Sequence, residues 1–452
     1  MIKKQNIMKN FLAVFIGILI VGSSYNSDAQ NVWSLQQCID YALENNIQIK
    51  QQSLNTNYSE NQVRQAKSNK LPNLNASIGN DYNFGRSLTY ENTYENVNSA
   101  SLSGGASTNF TLWNGFTLTN TIKQRELDLQ ATVLDLQKAK DDIMLAIAAG
   151  YLEILFAEEL ELVTEGQIEV TRQQIERTQQ LVDAGSLARG SLLEIEAQVA
   201  REELQLVNDH NRVQLAYLTM FQFLELPIAE SFTIEKPVLP EIAASASLSN
   251  SIDVFNNAIN VRPEIKAAQL RVESAIKELD IAKGYQYPSL SLNANYYNLY
   301  NNKYTDITGT DISFGEQLKN NGRSGIGLAL SIPIFNRNQV KIGMSNATLQ
   351  ISDFQYRLQT ARNVLRKDIE LSYTNALASF NRFTSTNKAV NSMEEAFRYT
   401  EEKFNVGMVN SVDYNISKSQ LTIAQSNLLQ AKYEYIFRTK ILDFYNGIPI
   451  KL

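Results

Sequence analysis

The chain has 452 residues, with 41 Lys and Arg against 47 Asp and Glu, a net charge of −6, one cysteine and one histidine. An acidic balance with no basic stripe argues against nucleic acid as a partner. A single thiol rules out an intramolecular disulfide, and His210, in "LVNDHNRVQ", has no second histidine or nearby cysteine with which to build an ordinary metal site. With no phosphate-cradling loop and no nucleophile motif, no catalytic residue, metal or cofactor is expected.

Lys3, Lys4 and Lys9 precede an apolar run from Phe11 to Val21, and small residues lead to a cut after Ala29. Residues 1–29 therefore read as a targeting segment that takes the chain out of the cytoplasm. The run is too short to span a bilayer as a helix. Cys38 follows in "LQQCIDYALENN" with apolar neighbours at helical spacing and no lipobox before it. It is expected to be a buried thiol in a helix.

Two alternating stretches come next. In "PNLNASIGNDYNF", Leu74, Ala76, Ile78, Tyr82 and Phe84 alternate with Asn, Ser, Gly and Asp. In "ASLSGGASTNFTLW", Leu102, Ala106, Phe110 and Leu112 do the same. Period two over this length predicts strands with one apolar and one wet face. About eleven residues at roughly 3.4 Å each, tilted near 45°, cover about 26 Å, close to the apolar band of a membrane barrel. Aromatics at the ends (Tyr82, Phe84, Phe110, Trp113) suit the two membrane interfaces, and the small uncharged opposite face suits a water-filled lumen.

From about Leu118 to Val182 no proline interrupts a stripe of apolar residues, which predicts a helix of roughly 100 Å. The cluster Glu158, Glu159 and Glu161 on it reads as a solvated face. "DAGSLARGS" then breaks the helix, with Gly185 at the left-handed C-cap position. A second helix, Leu192 to Phe223, folds back alongside.

After a linker at 229–249 the plan repeats. Pro72 recurs as Pro288, Asn114 as Asn336, Gly185 as Gly407 and Pro227 as Pro449. The first pair is offset by 216 and the others by 222, so the second copy carries six extra residues between its strands. Those strands place Leu290, Leu292, Ala294, Tyr296 and Tyr300, then Ile326, Leu328, Leu330, Ile332 and Ile334, at alternate positions. The division expected is 30–228 and 250–452, two repeats of helix, two strands and long helical hairpin. The fold class is an internally duplicated α+β membrane protein with four spanning strands. The lipid-facing candidates are Leu74, Ile78, Leu102, Phe110, Leu290, Leu292, Ile326, Leu328 and Leu330. Four strands cannot close in lipid, where an open edge leaves backbone groups unpaired. An oligomer follows: a dimer gives eight strands and a trimer twelve, and small inward residues favour the wider barrel.

The start "LQQCIDYALENN", both proline-led strands and "FNVGMVNSVDYNISKSQLTIAQSNLLQAKYEY" resemble the TolC-type outer-membrane efflux channel family over nearly all of the mature chain. The resemblance implies a homotrimer with a twelve-stranded barrel in outer-membrane lipid and a helical tunnel across the periplasm. It also implies docking on a periplasmic adaptor (membrane fusion) protein and an inner-membrane pump. The function implied is a passive duct for small molecules or proteins; the alternative is a periplasmic coiled-coil scaffold that never enters lipid.

At the periplasmic mouth, Asp413 matches a family position whose carboxylates ring the entrance, where three copies would attract cations. The family's second acid is Ile416 here. Its tyrosine, arginine and first-copy aspartate positions are Phe404, Val409 and Ser191. Arg189 is then the expected partner for Asp413 in closing the mouth. Gly185, Ser186, Gly407 and Met408, at the outermost turns, are the candidates for adaptor contact.

Overall fold

A computed structural model describes residues 31–88, 92–226, 232–238, 242 and 248–450. The expected targeting segment, Pro227 and most of the expected linker at 229–249 lie outside these residues. In chain order the elements are β1 (Asn31–Trp33), α1 (Leu35–Asn45), α2 (Ile47–Ser68), β2 (Asn75–Asn83), β3 (Arg86–Leu88), β4 (Tyr94–Asn96), β5 (Ser99–Trp113), α3 (Thr117–Asp183) and α4 (Arg189–Leu224). There follow β6 (Phe232–Ile234), α5 (Ser251–Val261), α6 (Pro263–Gly284), β7 (Ser289–Asn301), α7 (Phe314–Asn320), β8 (Arg323–Ser331), α8 (Gln339–Asn405) and α9 (Ser411–Tyr445).

The duplication is carried into the backbone residue by residue. Helices α1 and α2 shifted by 216 coincide with α5 and α6, and α3 shifted by 222 coincides with α8. Helices α3 and α8 have 67 residues each, about 100 Å at 1.5 Å per residue. At the strand-to-helix junctions, Gly115 and Phe116 have left-handed φ of 63° and 64°, and their counterparts Arg337 and Asn338 have 52° and 60°. Two non-glycine, non-Asn side chains accept that strained region so that the chain can turn from a strand into a long helix.

The four long strands form one antiparallel sheet in the order β2-β5-β7-β8. The two hairpins share one register: Asn75 opposite Ser107 in the first becomes Ser291 opposite Ala329 in the second. Cross-strand rows then assemble the predicted apolar face, as in Phe110–Leu292–Leu328 and Ala106–Tyr296–Ser324. On the outer strands Ile78, Ile326 and Leu328 are 84%, 78% and 68% exposed. A contiguous bare apolar surface of this kind marks a buried partner, here hydrocarbon. Strict alternation fails at one place. A register shift between Thr111 and Trp113 sets Trp113, not Leu112, opposite Leu290. Trp113 then meets Phe116 and Tyr287 edge-on, both at 6.3 Å, in an aromatic cluster where sheet passes into helix.

Below the sheet the helices pack in two equivalent cores. Cys38, Ala42, Ile49, Ile143 and Ile147 of the first correspond, by the same two offsets, to Val254, Ala258, Ile265, Leu365 and Ile369 of the second. Cys38 thus occupies a valine's place, fully buried, and burial pushes its thiol up to about 12. The first core is larger: it takes in residues of α4 and α9 and, through the parallel pairing of β1 with β6, Phe232 and Ile234 of the linker. That part of the linker is a buried strand rather than a free connection.

Candidate functional site: the helical tips and the collar

The ends of the hairpins are built alike and finished differently. Gly185 and Gly407 have φ of 72° and 78°, and each donates its amide to the carbonyl three residues back, Val182 and Phe404. Ser186 and Met408 close the same wider turn, donating to the carbonyls of Leu181 and Lys403. The return helices then diverge. Asn410 caps α9 by accepting from the amide of Asp413 at 2.8 Å, whereas Ala188 offers α4 no side-chain cap. Gly185, Ser186, Gly407 and Met408 are all exposed.

The expected mouth residues separate into two groups. Arg189, Asp413 and Ile416 are exposed and Ser191 is half-buried. Phe404 is instead buried, its ring 4.8 Å from that of Tyr414, in a cluster with Ile195 against which Val409 packs. Phe404 and Val409 thus pack in an apolar cluster that includes Ile175 and Ile195 of the other hairpin. No ion pair joins Arg189 to Asp413 within the protomer among the described residues.

Contacts between the two hairpins come from residues that motif reading passes over. Ser411 hydrogen-bonds Glu194. One and two turns further along α9, Tyr414 and Lys418 are buried. The Lys418 ammonium donates to Thr171 Oγ1 and, at 3.0 Å, to the Gln167 carbonyl, and lies 3.4 Å from Glu202 Oε1. Thr171 in turn donates to Glu202 Oε2 at 2.5 Å. Burial pulls the Lys418 pKa down, and the Glu202 carboxylate opposes that shift. The signal in the sequence is a lysine standing in the buried stripe of α9, between Tyr414 and Leu421. Around this network Gln174 Nε2, Thr178 Oγ1 and Asn415 Oδ1 are buried without partners. Glu264 Oε2, Arg362 Nε and Arg438 Nε are buried without partners elsewhere in the helices, so such atoms are not confined to the tips.

Higher up, the three glutamates expected on a solvated face are bonded to three different places. Glu158 accepts from Tyr217 at 2.7 Å and pairs with Lys236, Glu159 accepts from Tyr433 at 2.5 Å, and Glu161 meets His210 Nδ1 at 2.7 Å. The helix is 67 residues long and packs against several neighbours, so these carboxylates meet other elements rather than water alone. Tyr151 completes the collar by donating to the Glu235 carbonyl at 2.6 Å. Burial holds the hydroxyls of Tyr151, Tyr217 and Tyr433 well above the usual phenolic range.

Comparison with known proteins gives a consistent match. The model of the family described as "Outer membrane efflux protein" matches residues 38–224 and 254–442, once for each repeat. The chain is 24% identical to "Outer membrane protein TolC" of Escherichia coli (strain K12) over 95% of this chain and 84% of that protein. It is 23% identical to "Toxin and drug export protein A" of Aggregatibacter actinomycetemcomitans, over 89% and 83%. Among solved structures, CusC, described for its transmembrane channel formation, superposes with a TM-score of 0.77 at 15% identity, covering 92% of both chains.

Proposed function

We infer the function from one premise: the chain belongs to the outer membrane efflux protein family. It is the exit duct of an efflux or secretion system, seated in the outer membrane and extending into the periplasm. The observation that carries this reading is the sheet itself. Its four strands have an exposed apolar face, a small polar face, and two edge strands, β2 and β8, each with a single neighbour. A scaffold confined to water would gain nothing from such a face.

Closure is by homotrimerisation, giving twelve strands, and the internal symmetry specifies the seam. Thr108 faces Ala294, and Gly104 faces Asn298, where the first copy meets the second. Applying the offsets of 222 and 216 sets Leu330 opposite the partner subunit's Ile78, and Ile326 opposite the partner subunit's Tyr82. The same operation moves the Ser411–Glu194 contact to Arg189 and Ile416 of adjoining protomers. Asp413 lies one turn from Ile416 on α9, so Arg189 is within reach of the partner's Asp413 and the latch belongs to the seam. Asp413 and Ile416 line the mouth with Arg189 and Ser191, while Phe404 and Val409 stiffen the tip behind them. The exposed turns Gly185, Ser186, Gly407 and Met408 meet a periplasmic adaptor, and an inner-membrane pump supplies the energy. The two repeats act as 30–228 and 250–452 about a linker at 229–249, and the cargo passes without reaction.

Purified protein in detergent should have the mass of three chains and form conducting pores in planar bilayers. Leu330→Cys with Ile78→Cys should then cross-link into a covalent trimer on oxidation. Recovery solely from soluble periplasm, or no conductance, would sink the duct. Cross-linking in a register one residue away would sink only the seam. Arg189→Ala should raise conductance at rest, and unchanged conductance would remove the latch.

A further inference from the structure

We propose that α7 is an interfacial foot, which lies on the outside of the barrel wall and rests in the outer leaflet of the membrane. The proposal rests on the duct reading above and adds a lipid contact made by a loop. Strand β7 runs to Asn301, but β8 begins at Arg323, opposite Tyr297. The last residues of β7 therefore have no strand on that side. Two side chains of the intervening segment finish the ladder instead. Gln317, 2% exposed, donates to the Asn301 carbonyl at 2.9 Å and accepts from the Asn301 amide at 2.9 Å. Asn321 donates to the Leu299 carbonyl at 2.6 Å. A backbone edge that would be costly to leave bare is thereby satisfied, and α7 is held rigidly against β7.

The remaining contacts say which way the helix leans. Phe314 meets Tyr300 edge-on at 5.0 Å. Asn298 Nδ2 donates to the Leu318 carbonyl at 2.7 Å. A Cβ on Gly322 would come within 3.0 Å of the Tyr296 hydroxyl. Tyr296, Asn298 and Tyr300 share the face of β7 that carries Leu290 and Leu292, because side chains alternate along a strand. So α7 is on the apolar, outward side and leaves the lumen clear. It lies at the end of β7 remote from the helices, hence at the outer surface. Phe314 and Leu318, one helical turn apart, remain 46% and 41% exposed there, with Lys319 beside them. Aromatic and aliphatic side chains continuing a lipid-facing band into its rim, with a lysine to reach the headgroups, match an interfacial segment. The first copy has six fewer residues between its strands and no helix among the described residues there, so a trimer carries three such feet.

Spin labels test the assignment in the full trimer reconstituted in phospholipid vesicles. Cys38 is fully buried and gives no background labelling. Labels at Leu318→Cys and Phe314→Cys should collide more with oxygen than with a water-soluble nickel chelate. Leu328→Cys serves as the lipid reference and Glu95→Cys as the water reference. If Leu328 reports lipid but Leu318 behaves like Glu95, the foot is wrong and the barrel stands. If labels at both α7 positions are shielded from both reagents, α7 contacts protein and the foot is again wrong. If Leu328 itself behaves like Glu95, the barrel reading fails and takes the foot with it.

Discussion

Lys418 of α9 reaches Thr171 of α3 inside the contact between the two hairpins of one chain, with Glu202 of α4 3.4 Å from its ammonium. The internal symmetry carries Lys418 to Glu196 and Thr171 to Met393, a pair that cannot repeat the bond. The tie is thus made within the protomer, and these residues could not repeat it at the seam proposed between protomers. The two hairpins of a chain are pinned as a unit, so under the trimer seam proposed above any relative movement at the mouth falls between protomers, where that proposal sets Arg189 and Asp413.

Removing the pin leaves the half-buried Glu202 carboxylate without its cation, held only by Thr171 and Gln198. Lys418→Met should cost about 3–5 kcal/mol, since breaking one side of a buried pair strands the other. Lys418→Met with Glu202→Gln should recover much of that loss. Thermal unfolding of single and double variants measures it, and equal losses in both would show that the charge pair is not the source.

On the membrane face, Leu328→Arg should destabilise the barrel by about 2–4 kcal/mol near the midplane. Leu328 is 68% exposed, so no loss of protein packing competes with this effect. Ser331→Arg, on the opposite face, should be tolerated. Outer-membrane yield and heat stability of the two variants decide the matter, and similar behaviour would contradict the facing assigned here.

Two glycines should fail for different reasons. A Cβ at Gly284 would lie 2.4 Å from Thr117 Cγ2 and 2.9 Å from the Gly115 carbonyl, so Gly284→Ala must push α6 away from the start of α3. At Gly407 nothing lies within 4 Å, and Gly407→Ala costs only its φ of 78°, about 1 kcal/mol. Melting should therefore drop sharply for the first. For the second, faster hydrogen exchange confined to the tip is expected. A global effect of Gly407→Ala would be unexplained by this geometry.

The collar tyrosines set an alkaline limit. Burial raises the pKa of Tyr151, Tyr217 and Tyr433 above the unfolded value of 10. Above that pH the unfolded chain gives up protons that the native state keeps, so the stability these groups contribute is present below pH 10 and lost as pH rises further. Tm should fall between pH 10 and 12, and Tyr151→Phe with Tyr433→Phe should flatten the fall. An unchanged slope in that variant would place the alkaline sensitivity elsewhere.

The sequence alone determined whatever depends on local period or on comparing one half with the other. The alternation of Leu290 and Leu292, the span of the helix from Leu118 to Val182, the breaks at Gly185 and Gly407, and both offsets were all legible. Each is written in neighbouring residues, or in two copies under the same constraint. Tertiary structure alone decided which residue meets which. Glu159 and Tyr433, Lys418 and Thr171, and β1 and β6 are far apart in the chain, and no local pattern records their meeting. The shift at Trp113 and the inward turn of Phe404 were hidden for the same reason. A side chain's direction follows from its period, but its partner follows from how the helices and strands are brought together.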